Sequence, residues 1–159
     1  MPDEKELRKQ IARTLDWEEA HASFDRAVDG LPAQLRGRAP KGLPYSLWQL
    51  VEHIRRTQAD ILEFCQGEGY EEKQWPKDYW PESAEPPSGH AWDESIAAVR
   101  RDRKALAALT IDPKTDLTAR VPNGTTQTYL REVLLVADHT AYHVGELVVV
   151  RRLLEAWPG

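Results

Sequence analysis

The chain has 159 residues, and we expect them to form one domain, 1–159, around a single substantial core. Its 41% hydrophobic and 30% charged residues are ordinary for a globular protein, and the net charge of −5 argues against binding to nucleic acid or to an anionic membrane surface. One cysteine excludes an internal disulfide framework and, with a charged N-terminus that has no apolar secretion segment, favours a reducing cytoplasm.

The first predicted helix runs from Glu4 to about Leu31, because apolar residues recur at steps of three and four. Asp16 followed by Glu19 resembles a capping box, so we expect a break in the helix near Leu15. A glycine and a proline shortly after the last apolar residues then end it.

The second predicted helix begins at Ser46, whose spacing from Gln49 is that of a capping box, and ends near Gln66. His53 lies on the flank of the apolar stripe and therefore faces the seam between two helices. Cys65 lies on the stripe itself, which favours a small buried apolar residue over a catalytic thiol.

Residues 67–91 contain too many prolines and glycines for a helix and form a long connection. Its aromatic side chains give it enough apolar area to pack down: Tyr70, Trp75, Tyr79 and Trp80. Two interpretations stay open, a crossover pinned by these aromatics and a lid that walls one side of a pocket. A third helix follows from about Trp92 to Leu109, and a second irregular connection leads to a threonine cap, Thr126 or Thr128, of the last helix.

Residues 128–157 form the longest strongly apolar run and are predicted to be a helix. The run is apolar nearly all round, so we expect burial on both sides. Apolar surface left over on this helix suggests a helix-mediated homodimer, unless the long first helix covers it. Charged residues interrupt the roughly 20 apolar residues that a bilayer crossing needs, so no membrane span is expected.

A histidine pair is the most informative feature of this last helix. His139 and His143 are four residues apart and lie one above the other on a single face, with Glu132 and Glu146 roughly in line on either side. Hydrogen-bonded core histidines are the simplest interpretation. Two imidazoles at ligand spacing with carboxylates nearby nevertheless favour a metal site, because unpaired buried polar groups cost a few kcal/mol each.

Four helices and no evident strand predict an all-α fold, a four-helix bundle with long connections after the second and third helices. In such a bundle the faces that carry His53, His139 and His143 can meet and form a three-histidine site. The two other histidines have simpler interpretations: His21 as a half-exposed side chain among acidic residues, and His90 as part of a helix-start turn.

Three segments resemble the DinB-like, damage-inducible superfamily of four-helix-bundle metalloenzymes: YSLWQLVEH at 45–53, WPKDYWP at 75–81 and ADHTAYHVGELVVVRRLL at 137–154. The resemblance covers about residues 18–157. It implies that His53, His139 and His143 bind a divalent cation, zinc or nickel, with water completing the coordination. Related proteins include transferases and isomerases that use low-molecular-weight thiols such as mycothiol or bacillithiol, and homodimers are common among them.

Three functions remain open at this point. The first is a metal-dependent transferase acting on a small-molecule substrate with a thiol, in which Glu146 orients a ligand imidazole or accepts the thiol proton, and Glu132 is a weaker candidate for that role. The second is a hydrolase that activates water at the same cation. The third is a non-enzymatic metal-binding stress protein. A structural zinc would normally have a fourth protein ligand, and Cys65 lies too far along its helix from His53 to be that ligand.

Overall fold

A computed structural model of the protein describes residues 3–67 and 69–158. Within these ranges the chain is helical and has no strand, although an isolated antiparallel bridge pairs Arg120 with Thr128. The helices are α1 Glu4–Arg13, α2 Phe24–Val28, α3 Leu47–Gln66, α4 Ala91–Ile111 and α5 Tyr129–Leu153. The all-α prediction is confirmed, with five helices packed together in the described residues where four were predicted.

The extra helix arises because the first predicted helix is broken. α1 ends at Arg13, a short 3-10 turn covers Thr14–Asp16, and α2 begins only at Phe24. The break near Leu15 is therefore confirmed, but the predicted capping box is wrong. The residue that caps α2 is Ser23, whose hydroxyl accepts a backbone N–H three residues further on. The four-helix-bundle arrangement stays a prediction.

α3 begins and ends where the sequence predicts. The hydroxyl of Ser46 accepts the backbone N–H of Gln49, and the side-chain carbonyl of Gln49 accepts the backbone N–H of Ser46. The helix stops at Gln66, and Gly67 follows with a φ of 117°. Residues that have a Cβ atom rarely adopt this backbone conformation. Reciprocal capping thus fixes the start of the helix that carries His53.

The packing of α3 determines which residues meet. α3 contacts both α4 and α5, whereas α1 packs mainly on α4 and α2 on α5. One apolar cluster joins residues 47–54 of α3 to 144–150 of α5, and a second joins residues 61–65 to 133–136. α3 and α5 therefore run antiparallel, which places His53 opposite the histidines of α5.

α5 is not buried on both sides, so that expectation is wrong. Large apolar side chains on it are 45–66% exposed: Leu134, Tyr142, Val149 and Leu153. The residues predicted as the first helix do not cover this surface: α1 is short and lies mainly on α4, and Thr14–Asp16 and α2 pack on α5 but leave these side chains exposed. By length and composition α5 is also the one described helix that could cross a bilayer, but this is weak evidence, since core helices of soluble proteins pass the same test.

Candidate metal centre

Three histidine side chains converge between α3 and α5. One ring nitrogen each from His53, His139 and His143 lies within 4.8 Å of the others, and the Nε2 atoms of His53 and His139 are 3.0 Å apart. His53 and His143 are buried, while His139 is partly exposed. The structure thus brings together the three residues that the sequence singles out as candidate ligands.

Hydrogen bonds set the tautomers of two of these rings. The Nδ1 atom of His53 is 3.0 Å from the carbonyl oxygen of Tyr79, and because a carbonyl can only accept, Nδ1 carries the proton. The Nδ1 atom of His143 is 2.6 Å from Oε2 of Glu146, a carboxylate that also accepts. In the neutral form of each ring, Nε2 is left with a free lone pair, as metal-binding imidazoles require.

Burial keeps the imidazoles of His53 and His139 neutral. Burial lowers the pKa of His53 to about 4, with the hydrogen bond to Tyr79 opposing the shift and His143 adding to it. Burial also lowers the pKa of His139 to about 3, and the neighbouring His143 and His53 add to that shift. Near neutral pH these two rings therefore offer lone pairs rather than positive charges.

The donor set fits a divalent cation. Lone pairs that face each other across 3.0 Å repel unless a proton or a cation lies between them. Nitrogens around tetrahedral zinc, at bond lengths of about 2.0–2.1 Å, are about 3.3 Å apart, which is close to the spacing of His53 and His139. Among the described residues no further histidine, cysteine or carboxylate joins the group. A cation held by the three rings would therefore have an open position.

Aromatic side chains from the 67–90 connection wall one side of the centre. Trp80 stacks on His53 with ring centroids 3.8 Å apart, and Tyr45 stacks on the other face of Trp80 at 4.0 Å. The rings of Trp75 and His53 pack edge-to-face with centroids 6.2 Å apart, and Trp75 is 69% exposed. The connection is pinned by its aromatics, as one interpretation of the sequence holds, and its action as a lid stays a prediction.

The carboxylate of Glu52, next to His53 in the chain, is buried, and no sequence pattern predicts a role for it. Glu52 is 4% exposed and accepts hydrogen bonds from Arg55 at 2.6 Å, Arg56 at 3.1 Å and the hydroxyl of Ser95 at 2.6 Å. Burial alone would raise its pKa, but the bonds from Arg55 and Ser95 hold it below the ordinary value. Glu52 thereby ties α3 to α4 at the level of the histidine cluster.

Of the remaining candidates, only Glu146 lies at the cluster in the described residues. Glu132 is buried, accepts a hydrogen bond from Arg131 and helps to raise the pKa of Cys65. It is not in the group of histidines, whereas the weaker candidate role would require it to reach them. His21 is exposed, and His90 is the N-cap residue of α4, as the helix-start interpretation predicts. Glu146 is in contact with His143, and its catalytic role stays a prediction.

Cys65 is expected to resist alkylation in the folded protein. It is 2% exposed, and burial, with Glu132 adding to the effect, raises the pKa of its thiol to about 12, so almost no thiolate is present. Mass spectrometry after treatment with iodoacetamide at mildly alkaline pH measures this. We expect labelling in guanidinium chloride but not in buffer, and rapid labelling of the folded protein would show that the thiol is accessible.

The chain matches a protein-family model. The family described as the DinB superfamily matches residues 16–147, a range that includes all three histidines and Glu146. Neither the curated proteins nor the solved structures yield a match to this chain.

Proposed function

This chain belongs to the DinB superfamily, and we propose that it is a metal-dependent transferase that uses a low-molecular-weight thiol. The observation that carries the proposal is the convergence of three imidazoles on one point that no fourth protein ligand closes, within the described residues. Zinc or nickel bound there would supply Lewis acidity, which lowers the pKa of a thiol brought to it.

The side chains around the cation have separate roles in the proposed reaction. His53, His139 and His143 hold the cation, and Trp80 excludes water from the side of His53. Glu146 orients His143 and is the residue that we propose takes the thiol proton. In the transfer, a sulfur–carbon bond forms, the bond from carbon to the leaving group breaks, and the leaving group departs with the electron pair.

The open position favours an enzyme over a closed structural site. The expectation of a cytoplasmic protein suits a thiol substrate as well, since small thiols are kept reduced in that compartment. Hydrolysis of the same electrophile would need only water in place of the thiol, so the test has to distinguish the two nucleophiles.

The test uses protein made without a histidine tag, loaded with zinc or nickel, and an electrophile with a chromogenic leaving group. We expect release of that group to require both the metal and a thiol from a panel that includes bacillithiol and mycothiol. Glu146→Gln should lower the rate by about 10²- to 10⁴-fold, whereas Asp138→Asn should not, because Asp138 is exposed and is not part of the histidine group. Metal-dependent release without any thiol would indicate a hydrolase, and no release at all would contradict the proposal.

We also propose that a second copy of the chain covers the exposed apolar side of α5, giving a homodimer. Exposed side chains such as Tyr142, Val149 and Leu153 support this, because apolar residues on one helix face gain free energy when they leave water. Sedimentation velocity should show a dimer for the wild type and a monomer for Leu153→Glu. A monomeric wild type at tens of micromolar would contradict the dimer.

A further inference from the structure

A cavity of about 240 Å³ lies beside the histidine cluster, between α5 and the segment that leads into α3. Most of its lining is aliphatic: Leu43, Pro44, Leu50, Val149 and Val150. Two tyrosines, Tyr45 and Tyr142, and one carboxylate, Glu146, complete the wall with Gly145. Such a mixture, a largely apolar wall with few polar groups, is typical of small-molecule sites.

The cavity shares parts of its wall with the histidine cluster. Glu146 lines the cavity and contacts His143 at 2.6 Å, and the ring of Tyr142 lies 4.9 Å from the ring of His143. A third link runs through Tyr45, since this ring stacks on Trp80. The ring of His143 would therefore separate a molecule in the cavity from the point where the histidines converge. The same molecule would lie next to Glu146, the proposed proton acceptor.

We propose that this cavity binds the apolar part of the electrophilic substrate, an aromatic ring or a short alkyl chain. This inference rests on the proposed transferase activity and specifies its substrate class. An apolar cavity of about 150 Å³ is large enough for benzene, so 240 Å³ accommodates a ring with a short substituent. The carboxylate of Glu146 disfavours an anionic group at the same place, so the favoured substrates are neutral there.

Two variants of α5 test the site by binding alone. Val149 lines the cavity and is 47% exposed, so Val149→Trp can fill the space without entering the core. Leu153 lies on the same exposed side and does not line this cavity, so Leu153→Trp controls for changes in self-association. The probe is fluorobenzene, and its binding to the purified protein is measured by fluorine NMR.

We expect fluorobenzene to bind the wild type and Leu153→Trp equally, and Val149→Trp at least about tenfold more weakly. No binding to the wild type, or equal loss in both variants, would overturn the cavity as a ligand site. The thiol-transfer assay does not depend on the binding of fluorobenzene, so failure of this inference is distinct from failure of the proposed function.

Once a transferred electrophile is found, a homologous alkyl series measures the same site kinetically. Each added methylene should raise kcat/KM about fourfold until the cavity is filled. A homologue that ends in a carboxylate should lose this gain. A flat response along the series would overturn the assignment of the cavity to the electrophile.

Discussion

Adding zinc or nickel to the metal-free protein is expected to raise its melting temperature, and His53→Ala is expected to abolish that rise. A ligand present at about a thousand times its Kd stabilises the folded state by about 4 kcal/mol. In a chain of this length each kcal/mol moves the melting temperature by roughly 2–4 °C, so the rise should be about 8–16 °C. Circular dichroism melts of metal-free and metal-loaded samples measure it.

A matched control is available in His90. This histidine is exposed at the start of α4, its side chain makes no capping hydrogen bond, and it lies outside the cluster. His90→Ala should therefore retain the full rise. If His53→Ala were stabilised by the metal as much as the wild type, the cation would bind elsewhere on the chain.

Glu52→Ala is expected to destabilise the fold by about 2–4 kcal/mol. Removing one partner of a buried charge network typically costs about 3–5 kcal/mol, because the remaining charges lose their compensation. The loss is smaller here, since the side chains of Arg55 and Arg56 are 31% and 29% exposed and can turn partly to water. Urea unfolding followed by circular dichroism gives the free energy of unfolding.

The control for this variant is Glu94→Ala on α4, whose carboxylate is exposed near the same network and should change stability by less than about 0.5 kcal/mol. Glu52→Ala should also weaken metal binding, because Arg56 reaches from Glu52 to the carbonyl oxygen of Asp78, next to the residue that orients His53. Equal stability of the two variants would show that the Glu52 network contributes no net stability.

Local signals account for what the sequence predicts well. The capping box of Ser46 and Gln49 fixes the start of α3, and four-residue spacing places His139 and His143 on one face of α5. Antiparallel packing of two helices then brings His53 to that face. Such features need only short-range geometry and one helix pairing.

The features that the sequence does not predict have a common cause, because contacts between distant segments leave no local pattern in the sequence. Apolar periodicity continues from α1 into α2 although a 3-10 turn and an irregular segment separate them, so the pattern predicts one helix where two exist. Composition shows that α5 is apolar on most sides but not which sides find a partner in the same chain. The carbonyl of Tyr79 that orients His53 is a main-chain atom, which no side-chain pattern marks.

The proposed function requires that the three histidines hold a divalent cation. Metal analysis of protein purified without a histidine tag, as metal per chain for the wild type and for His139→Ala, tests it most directly. We expect about one equivalent of zinc or nickel in the wild type and none in the variant. A wild type that takes up no metal after reconstitution, or a variant that retains a full equivalent, would contradict the claim.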